Sequence, residues 1–302
     1  MIRKFAVNAR PADLLNLGFL LFLTSVAVVF RDKIDGPAYL VLLYSALVLA
    51  QALLLLLKDR NRILKWSYNL VLPTLSILLI FDSLERLVHY LNPRDIDPQL
   101  IRLDYMLFGG YPTVMLEKIM NPFLTDVLQL AYSSYYFIPI SLGVVLLTKK
   151  KPEEFDQSLF FIMLCFYLSY LGYMLMPAIG PRFTIGHLQN KPLEGLFFTG
   201  PLQEFLNRLE GVKRDAFPSG HTGIALTVLY LAFRFERRLY YILLPLVSAL
   251  VVATVYCRYH YVVDVIGGVM LTLLTLAVGE IWYARRAGTT STDMPVAGKS
   301  SD

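Results

Sequence analysis

The chain is constrained above all by a series of apolar runs, each about long enough to cross a lipid bilayer. A helix needs roughly 20 apolar residues to span the hydrocarbon core, where only helices and closed barrels satisfy their own backbone hydrogen bonds. By this criterion about eight runs qualify, and they cover residues 14–30, 38–57, 66–81, 127–147, 155–176, 220–233, 239–256 and 262–283. Only 17% of the residues are charged, against roughly 25% in ordinary soluble domains. The sequence therefore predicts an all-α protein, a polytopic membrane helical bundle with about eight transmembrane helices.

Basic residues cluster in short connections between the runs, and their positions predict the orientation of the bundle. Cytoplasmic loops carry an excess of Lys and Arg. Such clusters occupy alternate connections, at 58–65, 149–155 and 234–238, and recur in the tail from 285. We expect both termini in the cytoplasm, the long segments 82–126 and 177–217 on the extracytoplasmic side, and a bacterial inner membrane. These loops also explain the net charge of +5, so no nucleic-acid partner is expected.

The segments outside the runs give weaker signals. No small-residue cleavage pattern follows the first run, which we expect to be retained as a helix. Cys165 and Cys257 lie far apart and within or beside apolar runs, which argues against a disulfide framework or a metal knuckle. The outer stretches "LIRLDYMLFGGYP" and "PLQEFLNRLEG" are typical of interfacial helices, and we expect a lid or spacer there rather than a substrate contact. The small, polar tail at 285–302 is predicted to be disordered.

The stretch "FPSGHT" opens the sixth run with residues suited to binding an anion. Pro218 stops any preceding helix, Ser219 is a favoured N-cap residue, and Gly220 leaves the backbone open to close approach. Free N–H groups and the positive end of the helix dipole would point at the same place. His221, in the first turn, could then donate a proton to a bound oxygen. The alternative is an ordinary helix cap followed by an interfacial histidine.

The stretch "CRYHYVVD" opens the eighth run and carries another of the four histidines. His260 and Asp264 are four residues apart and share a helix face, so the carboxylate can fix the tautomer of the ring. The other ring nitrogen would then be a base or a nucleophile. Arg258 adds a planar cation suited to phosphate oxygens. The alternative is a local pair on a helix surface.

A second arginine, Arg182, follows a Gly-Pro break in "GPRF" after the fifth run. Alone it is typical of an arginine that reaches towards lipid headgroups. By the predicted topology, however, Arg182, His221 and His260 all lie at the same membrane face. A cation, an anion-binding helix start and an oriented histidine together indicate phosphoryl transfer.

These three stretches resemble the motifs of the type 2 phosphatidic acid phosphatase superfamily, whose members are integral membrane phosphoesterases and phosphotransferases. The resemblance implies a six-helix core at 66–284, preceded by two additional transmembrane helices in 1–65. It implies that His260 attacks phosphorus and forms a phosphohistidine, that Asp264 orients it, and that His221 protonates the leaving oxygen. It also implies that Arg182, Arg258, Ser219 and the backbone of Gly220 hold the phosphate. The activity implied is metal-independent and needs no cofactor; its substrate would be a phosphorylated lipid.

The chain departs from the family pattern at two positions. Leu175 stands where the first motif has a lysine, and Thr254 stands where the third has its arginine. The "GPR" and "RYHYVVD" forms resemble the branch that includes inositol phosphorylceramide synthases, which transfer a phosphorylated headgroup to a lipid alcohol. Hydrolysis and transfer to an alcohol acceptor therefore both stay open.

Two further classes of function compete with this one. A transporter could use intramembrane His, Arg and Asp to bind an anion or relay protons, but it would commonly have repeated halves, and none is evident. A metal hydrolase could use His221, His260 and Asp264 as ligands, but the sequence has no HExxH motif or comparable ligand-rich spacing.

Overall fold

The computed structural model describes residues 9–209 and 214–292, and its regular elements there are all helices. The α-helices are α1 (Pro11–Val29), α2 (Pro37–Leu57), α3 (Arg62–Trp66), α4 (Leu72–Leu91), α5 (Asp97–Phe108), α6 (Pro112–Met115), α7 (Pro122–Ser133), α8 (Ile138–Thr148), α9 (Pro152–Leu175), α10 (Pro181–Thr184), α11 (Thr199–Leu209), α12 (Gly220–Phe235), α13 (Arg237–Tyr256) and α14 (Val262–Thr292). A π-helical turn at Ser67–Val71 joins α3 to α4. The expected all-α class is confirmed.

Proline and short polar residues set many of the helix starts. Pro11, Pro37, Pro122 and Pro152 each occupy the first position of their helix. A proline there loses no hydrogen bond and already has the helical φ angle. Asn121 adds a cap before Pro122, its side-chain oxygen accepting from the Leu124 N–H at 3.0 Å.

Five helices are long and apolar enough to cross a membrane: α1, α2, α9, α13 and the part of α14 up to Arg285. A sixth span exists if α7 and α8 count as one, although they meet at an angle of 53°. The chain is therefore a polytopic helical membrane protein, as predicted, but with fewer clear spans than the expected eight.

The two remaining predicted spans are helices that miss this criterion for simple reasons. The predicted run 66–81 continues as α4 to Leu91, through the charged residues Asp82, Glu85 and Arg86. The predicted run 220–233 is α12, which has 16 residues, fewer than the roughly 20 that a span requires.

Helix α9 is the centre of the bundle. It packs against α1, α4, α8, α12 and α14, and 78% of its most apolar stretch is buried, against 28–39% for the other four long spans. Helices α1 and α2 pack on each other, and α1 also packs on α9. The division of the chain at residue 65 stays a prediction. The final helix continues to Thr292, beyond the predicted start of a disordered tail at 285, and the rest of that tail lies outside the described residues.

The bundle has two chemically different ends. The basic end carries the connections with Lys58, Lys149, Lys151 and Arg237, where Lys151 donates to the carbonyl of Phe235 at 2.7 Å. The histidine end carries the starts of α12 and α14 together with α5, α10 and α11.

Candidate active site

Two histidines from separate helices meet at the histidine end. His221 lies in the first turn of α12, and His260 lies in the turn between α13 and α14. The Nε2 atom of His260 is 3.5 Å from the Nδ1 atom of His221, and the ring centroids are 5.6 Å apart. The fold thus brings together two rings that are 39 residues apart in sequence.

The ring of His260 is held in one orientation by the backbone and by a carboxylate. Its Nδ1 atom is 2.8 Å from the carbonyl oxygen of Ala216 and 3.4 Å from Oδ2 of Asp264. Both oxygens can only accept from a ring N–H here, so this geometry favours the proton on Nδ1 and leaves a lone pair on Nε2. His260 is only 4% exposed and Asp264 is fully buried. The tautomer control expected from Asp264 is therefore shared with a backbone carbonyl that lies closer.

Asp264 also fixes the backbone next to the histidine. Its Oδ2 atom accepts the N–H of Tyr261 at 2.8 Å, while its Oδ1 atom is buried without a hydrogen-bond partner. The start of α14 and the orientation of His260 therefore depend on one side chain.

Aromatic rings hold His221 from two sides. Its ring stacks on Tyr132 at 4.4 Å and lies 4.2 Å from Tyr135, measured between centroids. Its Nε2 atom is buried and has no hydrogen-bond partner. A buried polar atom without a partner costs about 1–3 kcal/mol, which is a reason to ask what it binds.

The "PSGH" turn is an N-cap packed between helices. The Ser219 hydroxyl accepts the Thr222 N–H at 3.3 Å, and the Ser219 N–H donates to the Asp264 carbonyl at 3.0 Å. Gly268 permits this contact, since a Cβ atom there would lie 2.6 Å from the Ser219 carbonyl oxygen. Gly220 is buried against the Tyr173 hydroxyl. The phosphate contacts of Ser219 and Gly220 stay predictions.

Arg182 is linked to His221 through a column of aromatic rings. Its guanidinium is 5.1 Å from the centroid of Tyr259, which stacks on Tyr132 at 4.1 Å, and Tyr132 stacks in turn on His221. Gly180 makes the preceding turn with φ +88°, and a Cβ atom there would lie 2.7 Å from the Tyr259 carbonyl oxygen. Arg182 is therefore placed by a turn that favours glycine and by a cation–π contact.

Arg258 points its guanidinium elsewhere. Its Nη2 atom donates to Glu117 at 3.0 Å and to the carbonyl oxygen of Lys191 at 2.6 Å. Burial lowers the pKa of Arg258, and Glu117 counteracts part of that effect. In this arrangement Arg258 ties together the two long connecting segments that carry Glu117 and Lys191. Its predicted phosphate contact would require these bonds to change.

Comparison with known proteins agrees with this site. The model of the PAP2 superfamily matches residues 98–278, which are more than half of the chain and include Arg182, His221, His260 and Asp264. The chain belongs to the PAP2 superfamily. A PA-phosphatase related-family protein of Dictyostelium discoideum is 26% identical over 220 residues, which cover 62% of this chain and 40% of that protein. The chain thus spans less than half of that relative's length. No solved structure matches.

Membership of the PAP2 superfamily suggests phosphatase or phosphotransferase activity.

Asp215 is a further acidic residue in the candidate site, and the sequence analysis did not select it. It lines the same cavity as His221, and it lies close enough to His260 and Arg182 to interact with them electrostatically. Burial raises the pKa of Asp215 to about 6. Its position six residues before His221 was the available signal. The neighbouring Arg214 is paired with Asp95 at 2.7 Å.

Helix α5 supplies two buried carboxylates that hold the motif loops of this PAP2 superfamily chain. Asp97 accepts the backbone N–H groups of Ile179 and Gly180, each at 2.9 Å. Asp104 accepts those of Val262 and Val263, at 3.1 and 2.9 Å. One residue therefore holds the turn before Arg182, and the other caps the helix that follows His260. The segment expected to be a lid or spacer makes direct contacts to two motifs.

The same pattern recurs further along the chain. Glu117 accepts the Asn190 N–H at 3.0 Å, and Asp126 accepts the N–H groups of residues 196–199 at 2.8–3.1 Å. The first long connection thus binds the second through carboxylates that accept from the backbone. Acidic residues within otherwise apolar helical stretches were the available signal, because a buried charge needs a partner.

Among the described residues, no group of three or more His, Cys, Asp or Glu side chains is arranged to hold a metal ion. Cys165 and Cys257 are both buried and not paired in a disulfide. His260 contacts Asp264 through its Nδ1 atom. His221 faces His260 with its Nδ1 atom, whereas its Nε2 atom is the one without a partner.

Proposed function

We propose that the protein is a membrane-embedded phosphatase or phosphotransferase that cleaves the phosphoester or diphosphate of a lipid through a phosphohistidine on His260. The observation that carries the proposal is the 3.5 Å approach of His260 Nε2 to His221, with His260 Nδ1 already committed to Ala216 and Asp264. A ring held by Nδ1 has its Nε2 lone pair available for attack.

In the first half-reaction, the lone pair of His260 Nε2 forms a bond to phosphorus. The bond from phosphorus to the lipid oxygen breaks, its electron pair stays on that oxygen, and His221 supplies the proton. His221 Nδ1 lies too close to His260 Nε2 for a phosphorus atom between them. We therefore assign proton donation to His221 Nε2, the buried atom without a partner on the far side of the ring.

Charge on the phosphoryl oxygens would be balanced by Arg182 and by the start of α12. A guanidinium binds phosphate oxygens through two parallel hydrogen bonds. A helix N-terminus adds partial positive charge at the same place. These groups would supply the stabilisation that a metal ion provides in other phosphoryl-transfer enzymes.

In the second half-reaction, water or an alcohol attacks the phosphohistidine. The new bond to phosphorus forms as the bond to Nε2 breaks, and His221 takes the proton from the attacking hydroxyl. Water gives free phosphate. An alcohol, such as a hydroxyl-bearing lipid, gives a phosphodiester if the transferred group carries a headgroup. The same residues serve both reactions, and with both termini cytoplasmic the reaction would occur at the extracytoplasmic face.

The test is an assay of the purified protein on a panel of phosphorylated lipids, with and without acceptor alcohols and with a strong chelator in parallel. Free phosphate indicates hydrolysis, and a new phosphodiester indicates transfer. Mass spectrometry of alkali-quenched protein should find the phosphoryl group on His260. Turnover that the chelator abolishes, or a phosphoryl group on another residue, would overturn the mechanism. Anion flux in proteoliposomes without any turnover would favour a transporter instead.

A further inference from the structure

A narrow apolar groove leads away from His221 along the inside of the bundle. Its volume is about 120 Å³, well below the roughly 300–1,000 Å³ of an ordinary small-molecule pocket. The walls come mainly from α4, α8 and α9, and among Asp, Glu, His, Lys and Arg side chains the described lining has Asp215 and His221. The groove therefore joins the candidate active site to an apolar interior.

The length of the groove follows from the residues of α9 that line it. These extend from Tyr173, at the histidine end, to Phe155, near the basic end. They are separated by five helical turns, or about 27 Å at 1.5 Å per residue. The hydrocarbon core of a bilayer is about 30 Å thick, so a chain from one leaflet reaches about half that depth. The groove is thus longer than one leaflet is deep.

The groove is open at its side and tight at its far end. Leu78 and Ile140 line it and are 44% and 37% exposed, so lipid can approach between α4 and α8. At the far end a Cβ atom on Gly143 would lie 3.0 Å from a methyl group of Leu70 and 3.3 Å from the ring of Phe155. The absence of a side chain at Gly143 therefore keeps this end of the groove open.

We infer that the groove binds the hydrocarbon tail of the substrate, and that this tail is a single chain long enough to cross the bilayer midplane. The phosphate would lie at His221 and His260, and the chain would run past Ile162 to Gly143. A volume of about 120 Å³ spread over this length leaves room for one chain and not for two side by side. This inference rests on the proposed function and adds the substrate class: a phosphorylated lipid with one long chain.

Gly143 would then determine the chain length that the enzyme accepts. Gly143→Leu should fill the far end of the groove and leave the histidines untouched. We expect kcat/KM for eicosyl monophosphate to fall by about tenfold or more, since two lost buried methylenes are worth that much. The value for octyl monophosphate, whose chain ends above Gly143, should change by less than about twofold.

The matched control is Gly18→Leu, the same change on α1 at an exposed glycine with no atom within 4 Å of an added Cβ. It should leave both substrates unaffected. If Gly143→Leu fails to fold, Ser158→Leu fills the same end of the groove, where the Ser158 hydroxyl is buried without a partner. Binding of eicosyl monophosphate to inactive His260→Ala, with and without Gly143→Leu, gives a readout that needs no turnover.

The outcomes separate the inference from the proposed function. If the wild type cleaves neither phosphate nor any other phosphorylated lipid, the proposed function fails. If it cleaves both and Gly143→Leu changes them equally or not at all, the groove does not hold the tail. If a two-chain glycerol phosphate is cleaved as efficiently as eicosyl monophosphate, the single-chain assignment is wrong.

Discussion

Each end of the bundle buries a cluster of polar side chains, and the two clusters differ in how their atoms are paired. At the basic end, Arg10 donates to Asp13 at 3.2 Å and lies over the ring of Tyr68, 3.9 Å from its centroid. The Tyr68 hydroxyl also donates to Asp13, while Gln51 donates to the Asp13 carbonyl at 2.7 Å and accepts from Asn16 at 2.6 Å. None of these five side chains has a buried polar atom without a partner.

At the histidine end, several buried atoms are left without partners. They include Nε2 of His221, Oδ1 of Asp264 and Nε of Arg258. Each such atom costs stability that the cluster of Arg10, Asp13 and Tyr68 with its neighbours does not lose. The difference indicates that the basic-end cluster joins helices, whereas the histidine end keeps hydrogen-bonding capacity for a ligand. Changes at the two ends should therefore affect different properties.

The largest effect should come from His260→Ala. Removing the proposed nucleophile should lower turnover by at least about a thousandfold, with the melting temperature close to that of the wild type. His221→Ala should behave in the same way. The control is His187→Ala, which removes an exposed histidine outside the cluster and should keep full activity. Normal turnover in His260→Ala or His221→Ala would show that the histidine end does not carry the proposed catalytic function.

Asp13→Ala, at the basic end, should lower stability and leave activity unchanged. It leaves Arg10 buried without its main partner, and breaking a buried pair costs about 3–5 kcal/mol. Activity per folded molecule should be unchanged. Asp35→Ala is the matched control, because its partner Arg86 lies at 2.9 Å but both side chains are about half exposed, and such pairs contribute about 0–1 kcal/mol. If Asp13→Ala is as stable as Asp35→Ala, the basic-end cluster does not join the helices as described.

How far the sequence predicted each end depends on the range of the interactions. His221, His260 and Asp264 could be selected because each lies within a local pattern, a helix cap or a four-residue spacing, beside a long apolar run. The contact from Asp97 to Ile179 joins residues 82 positions apart, and no periodicity in the sequence reports such a pairing. Arg258 was chosen for its charge next to His260, but its direction depends on Glu117, 141 residues away.

The fold shows the same division between local and distant information. Apolar runs located the helices, since burial in lipid depends on composition. They did not predict the bend between α7 and α8, where Pro139 lies in the first turn of α8 and cannot donate a backbone hydrogen bond. They also ended the third run at 81, because charged residues follow, although α4 continues to Leu91.

Replacing Asp97 or Asp104, the two carboxylates of α5, should lower activity by a smaller factor, and each change should affect a different kinetic constant. Asp97→Asn should loosen the turn that places Arg182 and raise KM. Asp104→Asn should loosen the start of α14 beside His260 and lower kcat. Each change weakens backbone hydrogen bonds to a charged acceptor, worth about 1.5–3 kcal/mol, so we expect a change of roughly tenfold to a hundredfold. Asp32→Asn, at a carboxylate that is 91% exposed, is the control. If both variants instead show the same changes in kcat and KM, and these changes follow the fall in melting temperature, the carboxylates contribute only general stability.

The smallest effect should come from Asp215→Asn, and it should be an increase in stability and not a loss. Burial raises the pKa of Asp215 from 3.8 to about 6, so its folded-state pKa lies above the unfolded value. Its contribution to stability is fully present below about pH 4 and is lost as pH rises through about 6. At neutral pH the charged carboxylate therefore destabilises the fold.

Replacing it should raise the stability at pH 7.5 by on the order of 1–2 kcal/mol, after allowing for solvent in the cavity, and the gain should shrink as pH falls below about 6. Asp95→Asn, which removes the partner of Arg214, should not stabilise the protein at any pH. Thermal unfolding of both variants across this range decides the matter. A polar cluster that becomes more stable when a charge is removed is organised for something other than stability. If Asp215→Asn instead destabilises the fold as Asp13→Ala should, the two ends are built alike and the functional interpretation of the unpartnered atoms loses its support.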